Sequence, residues 1–246
     1  MYRNIIFDLD MTLIETSDSI FNLLDKTCKI LPDGITKENL KSALVNEIRK
    51  YMTKYQNCQF VRYGIGDLDI FFDTGFDRHV GKKEADIARK YIVKKTLEKL
   101  RVRDLNKVDE VIDFLMKNWL NFNLIDNVEE MLNKMKGYRV FLLTDGMTET
   151  QLSRAFSLKL DKYFEKMYAS EYFGMSKKYC IPFEMLLREN GLKADETLMI
   201  GDNYVSDILG SKNAGITPIY FNRNGDYMDG VVNVKSVKEL MDFLEI

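Results

Sequence analysis

Cysteine and histidine are scarce in this chain, and the scarcity narrows the chemistry first. The three cysteines, Cys28, Cys58 and Cys180, have no metal-type spacing and leave one over from any pairing. That excludes a thiolate metal site or a disulfide framework as the organising feature, and the expectation is reduced thiols in a cytoplasmic protein. His79 is the single histidine. It falls in an irregular stretch and reads as an ordinary loop residue. No apolar run is long enough to span a bilayer, and no signal-peptide pattern precedes the first apolar segment. An excess of either charge is missing too: 36 Lys and Arg stand against 38 Asp and Glu, a formal charge of −2. Such a balance draws the chain neither to a nucleic acid polymer nor to an anionic membrane. Internal repeats and low-complexity tracts are absent, and nothing in the pattern specifies an oligomeric state.

What is present is enough apolar material for a sizeable core, 46% of 246 residues, and a set of acids in unusual places. The stretch "NIIFDLDMTL" (4–13) carries an apolar run too short for a helix and rich in strand formers. Asp8 and Asp10 follow at its carboxyl end. Residues two apart on an extended chain point to the same side, so two like charges enter one small space. A cation must offset them.

From Val128 onward strand and helix alternate with short turns. "VEEMLNKMK", "TETQLSRAFSL", "YCIPFEMLLREN" and "SDILGSKNAG" read as helices; "YRVFLLTDG", "FEKMYAS", "TLMIGDN" and "TPIYFN" read as strands. This alternation predicts a parallel sheet covered on both faces, with ligands at the carboxyl ends of its strands. Residues Glu15 to about Asn121 differ, with four helical segments around an irregular stretch rich in glycine and aromatics, Gln56 to Lys82. The predicted organisation is an α/β core over 1–14 and 122–246, with an α-helical cap over 15–121 inserted after the first strand.

The strand ends collect the chemistry. Asp8, Asp10 and Thr12 follow the first strand; Thr144, Asp145 and Gly146 follow "VFLL"; Asp202 and Asp207 follow "TLMI"; Lys177 precedes a helix. Clustered carboxylates without thiols or a suitable histidine suit a hard, oxygen-seeking ion, with Mg²⁺ the obvious one. Mg²⁺ and Lys177 together would compensate the acids.

With DxDxT at Asp8-Asp10-Thr12, a strand-terminal Thr144, a lysine at Lys177 and GDxxxxD at Asp202-Asp207, all in order, the chain resembles the haloacid dehalogenase superfamily. The insertion resembles that superfamily's C1-type cap, and the core its Rossmann-like fold. Three departures are visible: Met11 stands where glycine or a small polar residue is common, Asp145 replaces a frequent asparagine, and Pro-x-Pro is missing after Lys177. Lys178 is the alternative active-site lysine, although the usual spacing selects Lys177.

The resemblance implies that Asp8 is the nucleophile, forming an aspartyl-phosphate, and that Asp10 is the general acid and base. Thr144 and nearby backbone N–H groups would hold the phosphoryl oxygens, with Asp145 and Gly146 as further substrate-binding candidates. Metal ligands would be Asp8, Asp10 through its main-chain carbonyl, and Asp202, while Asp207 either contacts a metal-bound water or supports the loop and helix start. "LLTDGMTETQ" and "YFEKMYASEYFG" look most like the branch of nucleoside 5′-monophosphatases and sugar-phosphate phosphatases, so a small-molecule phosphate ester is the expected partner. Phosphomutase, dehalogenase and non-catalytic binding module are the alternatives. In the insertion, Arg62, Tyr63 and Arg78 lie among aromatics that can meet a leaving group or simply form the cap's own core. The basic stretch Gly81 to Lys107 is either a steering surface for phosphate or a solvated face.

Overall fold

The apolar run after Arg3 forms strand β1 (Asn4–Phe7) in the computed structural model, which describes residues 2–55, 63–64, 66–72, 77, 80–104, 106–223, 225 and 227–246. Ile5, Ile6 and Phe7 are all fully buried. Side chains alternate between the faces of a strand, so burial at consecutive positions means that both faces are covered.

Among the described residues, five helices follow β1: α1 (Thr16–Cys28), α2 (Lys37–Tyr55), α3 (Asp67–Phe72), α4 (Lys82–Lys99) and α5 (Lys107–Asn118). The chain divides into two compact units, one of Ser17–Val61 with Ile65–Asn121, the other of Met1–Thr16, Arg62–Gly64 and Phe122–Ile246. In the helical unit, α4 buries Ala85, Ala88, Ile92, Val93 and Leu97, the three-and-four spacing of one helical face. Phe72 stacks on Trp119 at a centroid distance of 6.1 Å, and Phe71 is buried. These two aromatics of the irregular stretch therefore belong to the unit's own core. Arg89 is buried as well, where Nε donates to the Phe71 carbonyl at 2.9 Å and Nη2 meets Asp77 at 2.5 Å. Along the basic stretch, Lys90, Lys95 and Lys107 pair with Asp109, Glu98 and Glu110.

The other unit holds the remaining strands: β2 (Arg139–Thr144), β3 (Lys166–Ala169), β4 (Thr197–Gly201), β5 (Thr217–Phe221) and β6 (Val232–Val234). All pairings are parallel, in the order β3-β2-β1-β4-β5-β6. Its helices are α6 (Val128–Lys134), α7 (Thr148–Ser157), α8 (Ser170–Phe173), α9 (Ile181–Asn190), α10 (Gly210–Asn213) and α11 (Val237–Leu244). On one face Ile6, Phe141, Leu143 and Met199 pack with Phe183 and Leu186 of α9. This is an α/β fold with a Rossmann-like parallel sheet. From β1 the chain moves outward to β2 and β3, then returns to build β4, β5 and β6 on the other side. The order reverses between β1 and β4, and open α/β sheets bind ligands outside the carboxyl ends of strands at such a reversal.

Several elements differ from the sequence pattern, and α3 (Asp67–Phe72) forms inside the stretch read as irregular. The helix expected to start at Ser206 begins earlier, as a π-helical turn (Tyr204–Leu209) before α10. Asn203 causes this: its side chain accepts from the N–H groups of Val205 and Ser206, both at 3.0 Å, and its carbonyl accepts from Ile208 N–H at 3.3 Å. Beyond Asn222, β6 and α11 extend the alternation by one more step.

Candidate active site

The site grows from the turn that follows β1. The Asp8 N–H donates to Ile200 O at 2.9 Å, carrying the β1–β4 ladder one residue further. Leu9 O then receives Leu13 N–H at 2.9 Å, which closes the chain into a tight turn. Met11 takes φ 61°, in the left-handed region that favours glycine. That is the position where the superfamily resemblance expects a small residue, and the backbone gives the reason. Thr12 is buried and its hydroxyl donates to Asp8 Oδ2 at 3.4 Å, so it braces the turn.

Asp8, Asp202 and Asp207 converge. Each offers an oxygen, and these oxygens lie within 4.8 Å of one another. Lys177, 1% exposed, places its ammonium against Asp8 Oδ1 and 2.6 Å from Asp207 Oδ1. The neighbouring Lys178 is exposed. Burial pushes Asp8 well above the ordinary carboxylate range, against the pull of Lys177, and it raises Asp207 in the same way. Asp202 is pushed up to about 7 by burial and by the Asp207 carboxylate. Burial works against the charge of Lys177, but Asp207 and Asp8 outweigh it and hold the ammonium above its ordinary value. Three carboxylates around one ammonium leave uncompensated negative charge, a space that suits a further cation.

Asp207 reaches this space because β4 ends in Gly201. A Cβ at Gly201 would lie 2.2 Å from Asp207 Oδ2, so a side chain there cannot coexist with the observed carboxylate. Asp207 Oδ2 also accepts from Asn203 N–H at 2.9 Å, and the Ser211 hydroxyl donates to the Asp207 carbonyl. Lys177 is fixed from the other side. Asp145 Oδ2 accepts from the Ser176 hydroxyl at 2.7 Å and Oδ1 from the Lys177 N–H at 2.8 Å. Both oxygens of Asp145 hold the lysine loop, which lacks the usual prolines.

Asp10 faces a different partner. Its oxygens accept from Arg154 Nη1 at 2.9 and 3.0 Å, and Oδ1 also accepts from the Thr16 hydroxyl at 2.5 Å. The Asp10 side chain is outside the group of three carboxylates that could hold a metal ion. Thr144 is buried at the end of β2 and donates to Gln151 Oε1 at 3.3 Å. Gly146 N–H donates to Ser170 Oγ at 2.9 Å, and that hydroxyl lies 2.7 Å from the Tyr63 carbonyl. Gly64 sits against Asp145, where an added Cβ would approach Oδ2 to 2.7 Å. Tyr63 is thereby tied to the ends of β2 and β3. Arg62, Arg78 and His79 lie outside the described residues.

Sequence reasoning missed Arg154, Ser176, Asn203 and Ser170. Arginine in an amphipathic helix ordinarily reads as solvent-facing, and Arg154 is 1% exposed. Asn203 carried a signal, since Asn ahead of a helix is a capping residue.

Among described residues, no helix is long and apolar enough to cross a membrane. The sequence profile described as "Haloacid dehalogenase-like hydrolase" matches residues 69–221. A glyceraldehyde 3-phosphate phosphatase of Pyrococcus furiosus is 31% identical over 118 residues, covering 46% of this chain and 49% of the relative. The chain thus aligns with about half the length of that curated relative. The protein of the same name from Methanocaldococcus jannaschii is 24% identical over 252 residues, covering 100% of this chain and 98% of the relative. Among solved structures, the HAD-hydrolase YfnB of Bacillus subtilis, bound to magnesium, superposes with a TM-score of 0.68 at 18% identity, over 100% of this chain and 99% of that one. The profile match extends over more than half of the sequence, and this protein belongs to the haloacid dehalogenase-like hydrolase family.

Proposed function

We propose that the chain is a Mg²⁺-dependent phosphomonoester hydrolase acting through an aspartyl-phosphate on Asp8. One observation carries the reading: a buried ammonium, Lys177, held against Asp8 and Asp207 where three carboxylates converge at the reversal of a parallel sheet. The donor set of Asp8, Asp202 and Asp207 is all hard oxygen and fits Mg²⁺. The Asp10 main-chain carbonyl is a further ligand in this reading. When bound, Mg²⁺ offsets the repulsion between carboxylate and phosphate and draws charge from the phosphoryl oxygens.

Asp8 attacks phosphorus as its Oδ–P bond forms and the ester P–O bond breaks. Lys177 holds the nucleophile in place and lowers the charge it presents. Asp10 gives its proton to the departing oxygen, then takes one from the water that attacks phosphorus and releases Asp8. Thr144 supports a phosphoryl oxygen, and Asp145 keeps the lysine loop in register.

The substrate class is a small phosphorylated metabolite. Nucleoside 5′-monophosphates and sugar phosphates both fit the motifs, and the relatives named glyceraldehyde 3-phosphate phosphatase favour the phosphosugar. The insertion, residues 15–121, serves as the cap that selects the leaving group. Cys28 and Cys180 are free thiols, which suits a cytoplasmic setting. The test is a panel of triose phosphates, hexose phosphates and nucleoside monophosphates with Mg²⁺ and with excess chelator. Phosphate release should appear with Mg²⁺ and vanish in chelator, and Asp8→Asn should abolish it in a folded protein. Turnover by Asp8→Asn near the wild-type rate would exclude the covalent route.

A further inference from the structure

We infer that Arg154 is the positioning residue for Asp10, the group that exchanges the proton in the reaction proposed above. The inference rests on that hydrolase reading and adds a residue to it. Arg154 belongs to α7, one strand away from the turn that carries Asp10, and is 1% exposed. A buried guanidinium is costly unless it is paired. Here one of its nitrogens, Nη1, donates to both Asp10 oxygens at 2.9 and 3.0 Å. Its Cζ lies over the Phe122 ring, 5.0 Å from the centroid. The ring holds the guanidinium from one side, and the two contacts from Nη1 hold the carboxylate.

The third contact decides which oxygen works. Thr16 donates to Asp10 Oδ1 at 2.5 Å, so Oδ1 carries two donors and Oδ2 one. The Asp10 side chain is 27% exposed, in contrast to the buried Asp8 and Asp207. Oδ2, with fewer donors on a partly open carboxylate, is the oxygen left freer for the exchange. A lysine in place of Arg154 keeps the charge but not the planar group packed over Phe122, so it holds the charge balance better than the orientation.

The test compares turnover of an activated ester, 4-nitrophenyl phosphate, with that of a poor leaving group, glycerol phosphate, both with Mg²⁺. An aryl leaving group departs without protonation and an alkyl one does not. Loss of a positioned acid therefore lowers the alkyl-to-aryl ratio of kcat/KM, which stops at formation of the aspartyl-phosphate and leaves out the water step common to both esters, by about ten- to hundred-fold for Arg154→Gln if general acid catalysis is worth roughly 10²–10⁴. KM should stay near the wild-type value, and Arg154→Lys should fall between. In the Asp10→Asn background, Arg154→Gln should change the ratio no further, since both residues act through one group. A purely structural arginine would lower both rates equally and leave the ratio intact; that result overturns the inference while the hydrolase reading stands. Wild-type protein that turned over neither ester would overturn both. Should Arg154→Gln fail to fold, the ratio is read on Arg154→Lys, where a fall supports the assignment and no change overturns it.

Discussion

At the scale of single residues, the site is a problem in charge compensation. Asp8, Asp202 and Asp207 are all held above the ordinary carboxylate range, with burial as the first cause for each. The linkage follows in sign. A carboxylate with a raised folded-state pKa favours the folded chain at low pH and loses that contribution as pH rises through the folded value. For Asp202 that value is about 7. Without divalent metal the protein should therefore be less stable at pH 8 than at pH 5.5, and saturating Mg²⁺ should narrow or remove the difference. Urea midpoints at the two pH values, with chelator and with Mg²⁺, check this; equal midpoints in chelator would refute it. Lys177 is the internal compensation. Removing one partner of a buried ion pair costs about 3–5 kcal/mol, so Lys177→Met should destabilise the metal-free protein by that order, measured by urea unfolding, besides losing activity.

At the scale of elements, short local devices place the groups that the motifs name. The π-helical turn after Asn203 and the side-chain-free Gly201 bring Asp207 under the end of β4. Gly201→Ala should displace that carboxylate, at a cost of about 1–3 kcal/mol for overpacking, and should weaken Mg²⁺ binding measured by calorimetry. An unchanged affinity would mean that Asp207 is not a ligand. Asp145 presents two acceptors to Ser176 and Lys177 N–H, and asparagine would present one acceptor and one donor. Asp145→Asn is thus expected to lower kcat by loosening Lys177, although asparagine is common there in the superfamily. Wild-type kcat in this variant would show that the loop holds itself. At the other end of the chain, α11 starts with a cap readable in the sequence: Ser236 accepts from Glu239 N–H at 3.2 Å, and Glu239 Oε2 accepts from Lys235 N–H at 2.8 Å.

At the scale of the molecule, the core motifs in the proposed reading handle phosphate and metal and are blind to the rest of an ester. In that reading selectivity belongs to the insertion. Tyr63 and Gly64 come from it, yet they are part of the same compact unit as the sheet, held by Ser170 and Asp145. Tyr63→Ala should change the ranking of phosphosugar and nucleotide substrates while activity on 4-nitrophenyl phosphate survives. A uniform loss across the panel, or none, would place selectivity elsewhere.

The chain alone determined the alternation of strand and helix, the helical insertion, and the positions of Asp8, Asp10, Asp202 and Lys177 at strand ends and a helix start. These are local facts: apolar runs of strand length, helical periodicity and polar residues where the runs stop. Only the tertiary structure decided how those groups pair. Lys177 rather than Lys178 is buried against Asp8, because Asp145, 32 residues earlier, ties down its loop. Asp10 turned out to share Arg154, 144 residues away, and no pattern within either segment pointed to the other. A charged side chain in a helix reads the same whether it faces water or a buried partner. Parallel strands far apart in sequence make that choice when they bring one arginine over one carboxylate.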